Sequence, residues 1–425
     1  IGLPLYILAD TYFISKAVGA NGITALNMAL PVYGVIFALG QMVGVGSAIR
    51  YSIVKEQYRN SNKDGSNECD KYFSGALFWG LVIGVIFAVL GLVFPDKIVE
   101  IMGGDETIVA IGVPYFRIFM SFSPFFIFNY TCNAFVRNDG NPSVSMAATL
   151  ISSLFNIVFD YILMFPLGMG MPGAALATAL SPVVGVMICM IHFLSKKNTV
   201  KFKWFKTSLT RLFHCCQVGM SAFVGEMSGA VIVMVFNFII LRLTGNIGVA
   251  AYGVVANTAL VAVAVFNGVA LGSQPLISES YGKHNIKDIK LIEKLGVATA
   301  LGLAVIIVMM IWGFTDTIVG VFNSQGSDRL LSLARVGLRI YFIGFLFAGI
   351  NIFCSSALSA IASVKWAFVL SILKGFVVVN VCAAILAPIF GMNGVWVAFP
   401  LSEFILLIIS GFAMKKSIGA LESER

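Results

Sequence analysis

The sequence predicts an all-α polytopic membrane protein, with twelve transmembrane helices in two pseudo-symmetric six-helix lobes, and three observations carry that prediction. Of 425 residues, 59% are hydrophobic and 11% charged, against about 45–50% and about 25% in soluble proteins. That leaves too little polar surface to clothe a water-facing globule of this size, whereas a lipid-facing surface requires none. The apolar residues fall in long continuous stretches, each near or above the roughly 20 residues that cross a hydrocarbon core about 30 Å thick, and they lack the alternation of a β-barrel strand. The third observation is an internal repeat that divides the chain into halves.

The stretches run 1–15, 23–53, 72–94, 107–136, 143–166, 171–195, 212–243, 248–280, 289–314, 328–360, 364–388 and 392–414. The loops near 50–71, 137–142, 196–211 and 283–294, Lys365 and the tail from Lys415 carry 20 of the Lys and Arg residues, and the alternate loops carry 4 (Lys16, Lys97, Arg242 and Arg329). Basic loops stay on the cytoplasmic side, so both termini are expected inside, in a multi-pass cell (plasma) membrane protein. The formal net charge of +8 then reports orientation and calls for no nucleic acid. The first span is expected to lack its beginning, because its repeat counterpart starts near Leu212, which places the missing start about fourteen residues before Ile1.

The repeat aligns Gly19, Gly22 and Ala25 with Gly245, Gly248 and Ala251. Gly46 and Ser47 fall on Gly272 and Ser273, FPDKIVEIM from Phe94 on FTDTIVGVF from Phe314, and Asn129 on Asn351. GMPGAALATALS from Gly170 matches GMNGVWVAFPLS from Gly391. Small residues at helical spacing are common in membranes, but collinear matches in this order imply duplication. Six spans per half place both halves in the same orientation, related by an axis along the membrane normal. The expected organisation is an N-terminal lobe over 1–195, a cytoplasmic basic linker over 196–211 and a C-terminal lobe over 212–425. The linker sequence KKNTVKFKWFK interleaves Lys with aromatics, a pattern that suits either a solvated connection or contact with anionic headgroups.

The seven Cys show no CxxC and read as small core hydrophobes. His192, His214 and His284 sit at span ends or in polar loops, so no metal site is expected of them. The informative residues are acids inside spans: Asp10, Asp160, Glu226 and Glu403. Each costs about 2.5–3.5 kcal/mol to insert. Asn156 lies one helical turn before Asp160, on the same face. With Thr178 from span six and Asp10 from span one it completes an all-oxygen set of the type hard cations prefer. If the set converges, like charge and poor hydration make double ionisation costly, so it can take a proton or a monovalent cation such as sodium. A carboxyl held only by interhelical hydrogen bonds is the alternative. Glu226 faces a cavity that attracts a cationic molecule or merely holds helices together, and Glu403 carries less weight.

At these residues the sequence resembles the multidrug and toxic compound extrusion (MATE) transporters, in the branch of bacterial multidrug exporters. The resemblance spans essentially the whole chain through ADTYFIS around Asp10, NAFVRNDGNP from Asn133, NIVFDYILMFPLGMGMPGAALAT from Asn156, GMSAFVGEMS around Glu226 and GMNG at Gly391. It implies two six-helix lobes arranged as a V, and export of cationic or amphipathic small molecules in exchange for protons or sodium. Such a protein is a secondary transporter, not an enzyme, needs no cofactor beyond its coupling ion and works as a monomer in the bilayer. It further implies that Asp10, Asn156, Asp160 and Thr178 form the cation-coupling site, and that Asn133 and Glu226 line the substrate cavity. Other branches pair the span-seven Glu with an acid in span ten, and here 328–360 hold none beyond Asp328, so coupling is placed in the first lobe. A lipid-linked oligosaccharide flippase of the same superfamily is the alternative, with only Arg117, Arg335, Arg339 and Lys374 to hold a pyrophosphate. A channel lacks a continuous polar pore, and an intramembrane protease lacks HExxH.

Overall fold

A computed structural model describes residues 2–61, 66–102, 104, 106–205, 208–322 and 327–423. Among the described residues there is no strand. The first half contains α1 (Gly2–Ala17), α2 (Ala20–Asn60), α3 (Ser66–Val93), α4 (Pro95–Ile101), α5 (Glu106–Ser121), α6 (Ser123–Asn138), α7 (Pro142–Met164) and α8 (Met171–Phe193). The second contains α9 (Leu209–Gly282), α10 (Ile286–Gly313), α11 (Thr315–Phe322), α12 (Asp328–Tyr341), α13 (Phe345–Ala360), α14 (Val364–Ile372) and α15 (Val378–Ser423). With α9 divided at Gly245 and α12–α13 and α14–α15 each taken as continuous, nine of the described helical stretches are long and apolar enough to cross a membrane, ten when α5 and α6, bent by 45°, count as one span. Gly391 divides the last of these and α1 has 16 residues, so each of the twelve predicted stretches has its helix.

The repeat is written in the backbone. Gly19 (φ 81°, ψ −159°) and its counterpart Gly245 (φ 69°, ψ −158°) turn the chain in the same way. Gly170 (φ 57°, ψ −134°) and Gly391 (φ 58°, ψ −136°) do likewise. These conformations are open to glycine and strained for other residues, which is why the matched motifs keep a Gly there. The aligned FPDKIVEIM and FTDTIVGVF stretches form the short helices α4 and α11. Sequence patterning reads both as loop, because seven- and eight-residue helices show too little periodicity to be distinguished. It also ends the spans too early: α2 continues through Lys55 and Arg59 to Asn60, since charged residues extend a helix in water as readily as apolar ones do in lipid.

The chain folds as two compact units, 1–223 and 224–425. The linker and the first turns of α9 pack with the first unit. Lys206 of that linker lies outside the described residues. Helices in both units are amphipathic in the inverse sense. On α7, Ile151, Leu154, Val158 and Tyr161 are exposed while Ser145, Ser152, Asn156 and Asp160 are buried, so the polar stripe faces the unit's interior and the apolar face meets lipid. The first unit's core gathers Ile14, Phe116, Phe119, Phe126, Met164 and Met171. The second unit's core centres on Trp396, Tyr252, Phe236 and Phe345, with Tyr341 and Phe399 stacked at 4.1 Å.

In the first unit α2 and α9 cross backbone to backbone. A Cβ on Gly46 would meet the Cys215 carbonyl, and one on Gly219 would meet the Met42 carbonyl, the close approach that small residues permit between membrane helices. In the second unit one π-helical turn, Leu373–Val377, joins α14 to α15. Gly375 within it packs directly on Ser228, and Lys374 is carried on the same turn.

Candidate functional site

Three helices of the first unit bring the predicted oxygen set together. α7 packs against both α1 and α8, and each contributes from its buried stripe. Asp10 is 5% exposed, Thr178 5%, and Asn156 and Asp160 are fully buried. The Thr178 hydroxyl donates to Asp10 Oδ2 at 3.4 Å. With its amide nitrogen turned toward Asp10, Asn156 donates to Oδ1 at 3.3 Å while its oxygen accepts the Thr178 N–H at 3.3 Å. In the other orientation its nitrogen lies 3.3 Å from Thr178 Oγ1. The Asp160 carboxyl adjoins that of Asp10, and its Oδ1 is buried without a hydrogen-bond partner.

Among the described residues neither carboxyl has an ion-pair partner, and Arg117 on α5 is exposed. A void of about 40 Å³ adjoins the cluster, lined by Asp10, Thr178, Tyr33, Tyr115 and Phe119, large enough for a water or a small ion, which needs about 10–15 Å³. The donors are two carboxyls, an amide and a hydroxyl, with one carboxylate oxygen left over. That set suits a proton or a hard monovalent cation and offers nothing to a soft one. Among the described residues no three His, Cys, Asp or Glu side chains come together, so the donors do not resemble a multidentate site for a divalent ion.

The tyrosines are what sequence reasoning missed. Tyr115 from α5 reaches Thr178, and Tyr33 from α2 stacks toward Phe119 at 5.6 Å. Phenol groups in aromatic-rich spans look like packing, and only the fold reveals that two of them border the acids.

Asn133 and Glu226 do not join this cluster. Asn133 is spent within the packing of α6 and α7: its nitrogen donates to Asn129 O at 2.8 Å and Asn129 Oδ1 at 2.9 Å, and its oxygen accepts from Ser145 at 3.1 Å. Glu226 lies on α9 in the second unit, with its side chain exposed. Glu403, given little weight from sequence, is 3% exposed and anchors a second buried network. Asn351 on α13 donates to Glu403 Oε2 at 2.7 Å and to its carbonyl at 2.9 Å, Ser410 donates to Asn351 Oδ1 at 2.8 Å, and Lys374 on the π turn lies 3.9 Å from Glu403 Oε1. Such turns often mark functional positions, and no residue pattern announces one.

A third polar node sits at the basic end of the first unit. Asp139, just after α6, has a fully buried side chain. Its Oδ1 accepts from Tyr51 Oη at 2.6 Å, from Lys55 Nζ at 2.9 Å and from the Thr199 hydroxyl, and its Oδ2 accepts from His192 Nε2 and the Thr199 N–H, both at 2.9 Å. The opposite His192 nitrogen faces the Asn141 amide at 3.2 Å, which fits Nδ1 as the acceptor and Nε2–H as the donor to Asp139. Burial raises the Asp139 pKa, but the bonds from Thr199 and Tyr51 and the Lys55 charge outweigh it and hold the carboxyl below its usual range. This node ties the linker to α2, α6 and α8.

The family model described as MatE matches residues 1–162 and 222–389. The multidrug export protein MepA of Staphylococcus aureus is 27% identical over 410 residues, covering 94% of this chain and 86% of the relative. MepA of Staphylococcus saprophyticus subsp. saprophyticus is 24% identical over 396 residues, with coverages of 92% and 85%. Among solved structures, an outward-facing multidrug resistance MATE family transporter of the MOP superfamily superposes with a TM-score of 0.92 at 22% identity, covering 99% of this chain and 93% of that one.

Proposed function

The chain belongs to the MatE family, and on that premise we propose that it exports drugs or other amphipathic small molecules, organic cations in particular, by antiport against protons or sodium. The convergence of Asp10, Asn156, Asp160 and Thr178 in one buried cluster, with no ion-pair partner among the described residues, carries this reading. An incoming proton or sodium ion relieves the repulsion between the two carboxyls, fills the demand left by the unpartnered Asp160 oxygen and draws α1 toward α7 and α8. Repacking of α1 then lowers affinity for the exported molecule. Exchange requires the two ligands to oppose each other through such a reciprocal coupling free energy. Glu226, exposed on α9, is the carboxylate that meets a cationic substrate. Asn133 acts behind the cavity wall by holding α6 to α7.

The basic loops face the cytoplasm in this reading, with both termini inside the plasma membrane, and the monomer is the working unit. The flippase alternative loses support because two of its four candidate bases are engaged: Arg335 pairs with Asp316 at 2.6 Å and Lys374 lies 3.9 Å from Glu403. The deciding experiment is efflux of a fluorescent organic cation from proteoliposomes, with pH and sodium gradients imposed separately. Export driven by one gradient and lost in Asp10→Asn and Asp160→Asn is expected. Indifference to both gradients, or full activity in either variant, overturns the proposal.

A further inference from the structure

A second cavity of the first unit lies apart from the carboxylates, at the basic end. Its volume is about 640 Å³, within the range of about 300–1,000 Å³ usual for ligand pockets. Phe78, Trp79 and Leu81 on α3 face Val186 and Met190 on α8, and the cavity runs inward between them toward Cys132 on α6. Phe78 and Leu81 begin the exposed apolar face that α3 continues through Val85, Val89 and Leu92, so the opening is continuous with lipid.

The linker roofs this cavity and is fixed in place. The Lys201 N–H donates to Asp70 Oδ1 at 2.9 Å, the Lys203 N–H to Ser74 Oγ at 3.0 Å, and Lys203 Nζ pairs with Asp70 Oδ2 at 2.8 Å. The Asp139 node pins Thr199 just upstream. The mouth is therefore preformed, with four bases around it: Lys71, Lys201, Lys203 and Arg211. Among the described residues Glu68 and Asp70 oppose them. Glu68 is shared between Lys71 and Arg211, the latter at 3.6 Å, and the Lys201 side chain is exposed with no ion pair among the described residues. Beside the mouth, Leu194 is 80%, Trp204 85% and Phe202 50% exposed. Aromatic and apolar side chains interleaved with Lys at a helix end match the headgroup zone of a bilayer.

An apolar slot open to lipid, under a mouth with surplus positive charge at headgroup level, has the shape and polarity of one kind of molecule. We propose that the cavity binds an anionic phospholipid of the leaflet on the basic side, with an acyl chain between α3 and α8 and the headgroup held by Lys71, Lys201 and Arg211. The bound lipid would stiffen the linker where it leads into α9.

The test is native mass spectrometry of the whole purified protein titrated with phosphatidylglycerol or phosphatidylcholine of identical chains. Phosphatidylglycerol should be retained more tightly, and Lys201→Gln with Arg211→Gln should weaken it about fivefold per charge removed, leaving phosphatidylcholine unchanged. Lys290→Gln with Lys415→Gln, in the other unit, should change neither. A phosphatidylglycerol carrying a photoreactive acyl chain should label peptides 71–81 and 186–194. Equal retention of the two lipids by the unaltered protein overturns the proposal, as does undiminished phosphatidylglycerol binding by the Lys201/Arg211 variant or labelling confined to other helices. Inorganic phosphate at millimolar concentration should not displace the lipid; if it does, the site recognises the anion alone and the acyl slot is not part of it.

Discussion

Replacing Asp139 by Asn isolates what the buried node at the linker contributes. Asn keeps one acceptor oxygen and turns an amide toward donors on the other side. With the oxygen left facing Tyr51, Lys55 and the Thr199 hydroxyl, the new NH2 confronts His192 Nε2 and the Thr199 N–H. Leaving a buried donor unsatisfied costs about 1–3 kcal/mol. His192 can relieve its share by changing tautomer, at the expense of its contact with Asn141, whereas the backbone N–H has no other recourse. The Lys55 pair is part-exposed at 30% and adds about 1 kcal/mol or less. The total is about 3 kcal/mol. A domain of about 150–250 residues loses roughly 2–4 °C per kcal/mol, so the unit spanning 1–223 should melt roughly 6–12 °C lower. A thiol-reactive dye reads this directly, since Cys69, Cys132, Cys189 and Cys215 are buried in that unit. The pH dependence has a fixed sign. The folded-state pKa is depressed, so the stabilisation is present above the unfolded carboxyl value of about 3.9 and is lost as pH falls through the lower folded value. The variant and the original protein should thus differ at pH 7 and converge in acid, and trypsin should cut the variant faster at Lys196–Lys203. A melting difference under 1 °C at pH 7, with unchanged cleavage, would refute the reasoning.

Asp160→Asn should abolish gradient-driven efflux while changing the melting temperature little, because Asn is a near-isostere and the carboxyl has no ion-pair partner among the described residues; a large loss of stability would assign Asp160 a structural role instead. Glu403→Ala should cost about 3–5 kcal/mol by stranding Lys374 in the membrane, and adding Lys374→Met should recover most of that loss in a melting assay, which an unpaired role for Glu403 would not allow. Gly46→Ala should destabilise by about 1–3 kcal/mol through its clash with the Cys215 carbonyl. Its repeat counterpart Gly272→Ala, which meets open space, should be neutral or up to about 1 kcal/mol stabilising; equal effects would mean that the α2–α9 crossing is looser than its geometry.

The readability of the chain followed the physics of each level. Span number and repeat were legible because lipid demands long apolar runs and because a left-handed glycine leaves a trace that side chains cannot imitate: Gly19 and Gly245, Gly170 and Gly391. The oxygen set was legible as a list, since an acid within a span is costly enough to stand out, and Asn156 with Asp160 share a helical face by spacing alone. Its convergence with Asp10 was not, because that depends on how α1 and α8 pack against α7. Tyr115 and the Lys374 π turn left no mark, since neither a phenol nor one extra residue per turn departs from ordinary membrane composition. The anchoring of the linker left no mark either, since its partners, Asp70 and Asp139, lie more than fifty residues upstream.

The two halves share a backbone but not a chemistry, and the difference bears on coupling. Asn129 and Asn351 occupy equivalent places in the repeat. Asn129 accepts from a neighbouring amide, Asn133, whereas Asn351 donates to Glu403, a carboxylate already accompanied by Lys374. An external cation approaching Glu403 must displace a tethered ammonium whose effective concentration is of millimolar order or higher. Among the described residues Asp10 and Asp160 have no such internal competitor, so an arriving ion does not have to displace a tethered base there. Duplication built two similar scaffolds, and a base in one of them answers the negative charge that the other leaves unmet. The proposal that coupling runs through the first unit draws its support from that asymmetry and needs no acid in span ten.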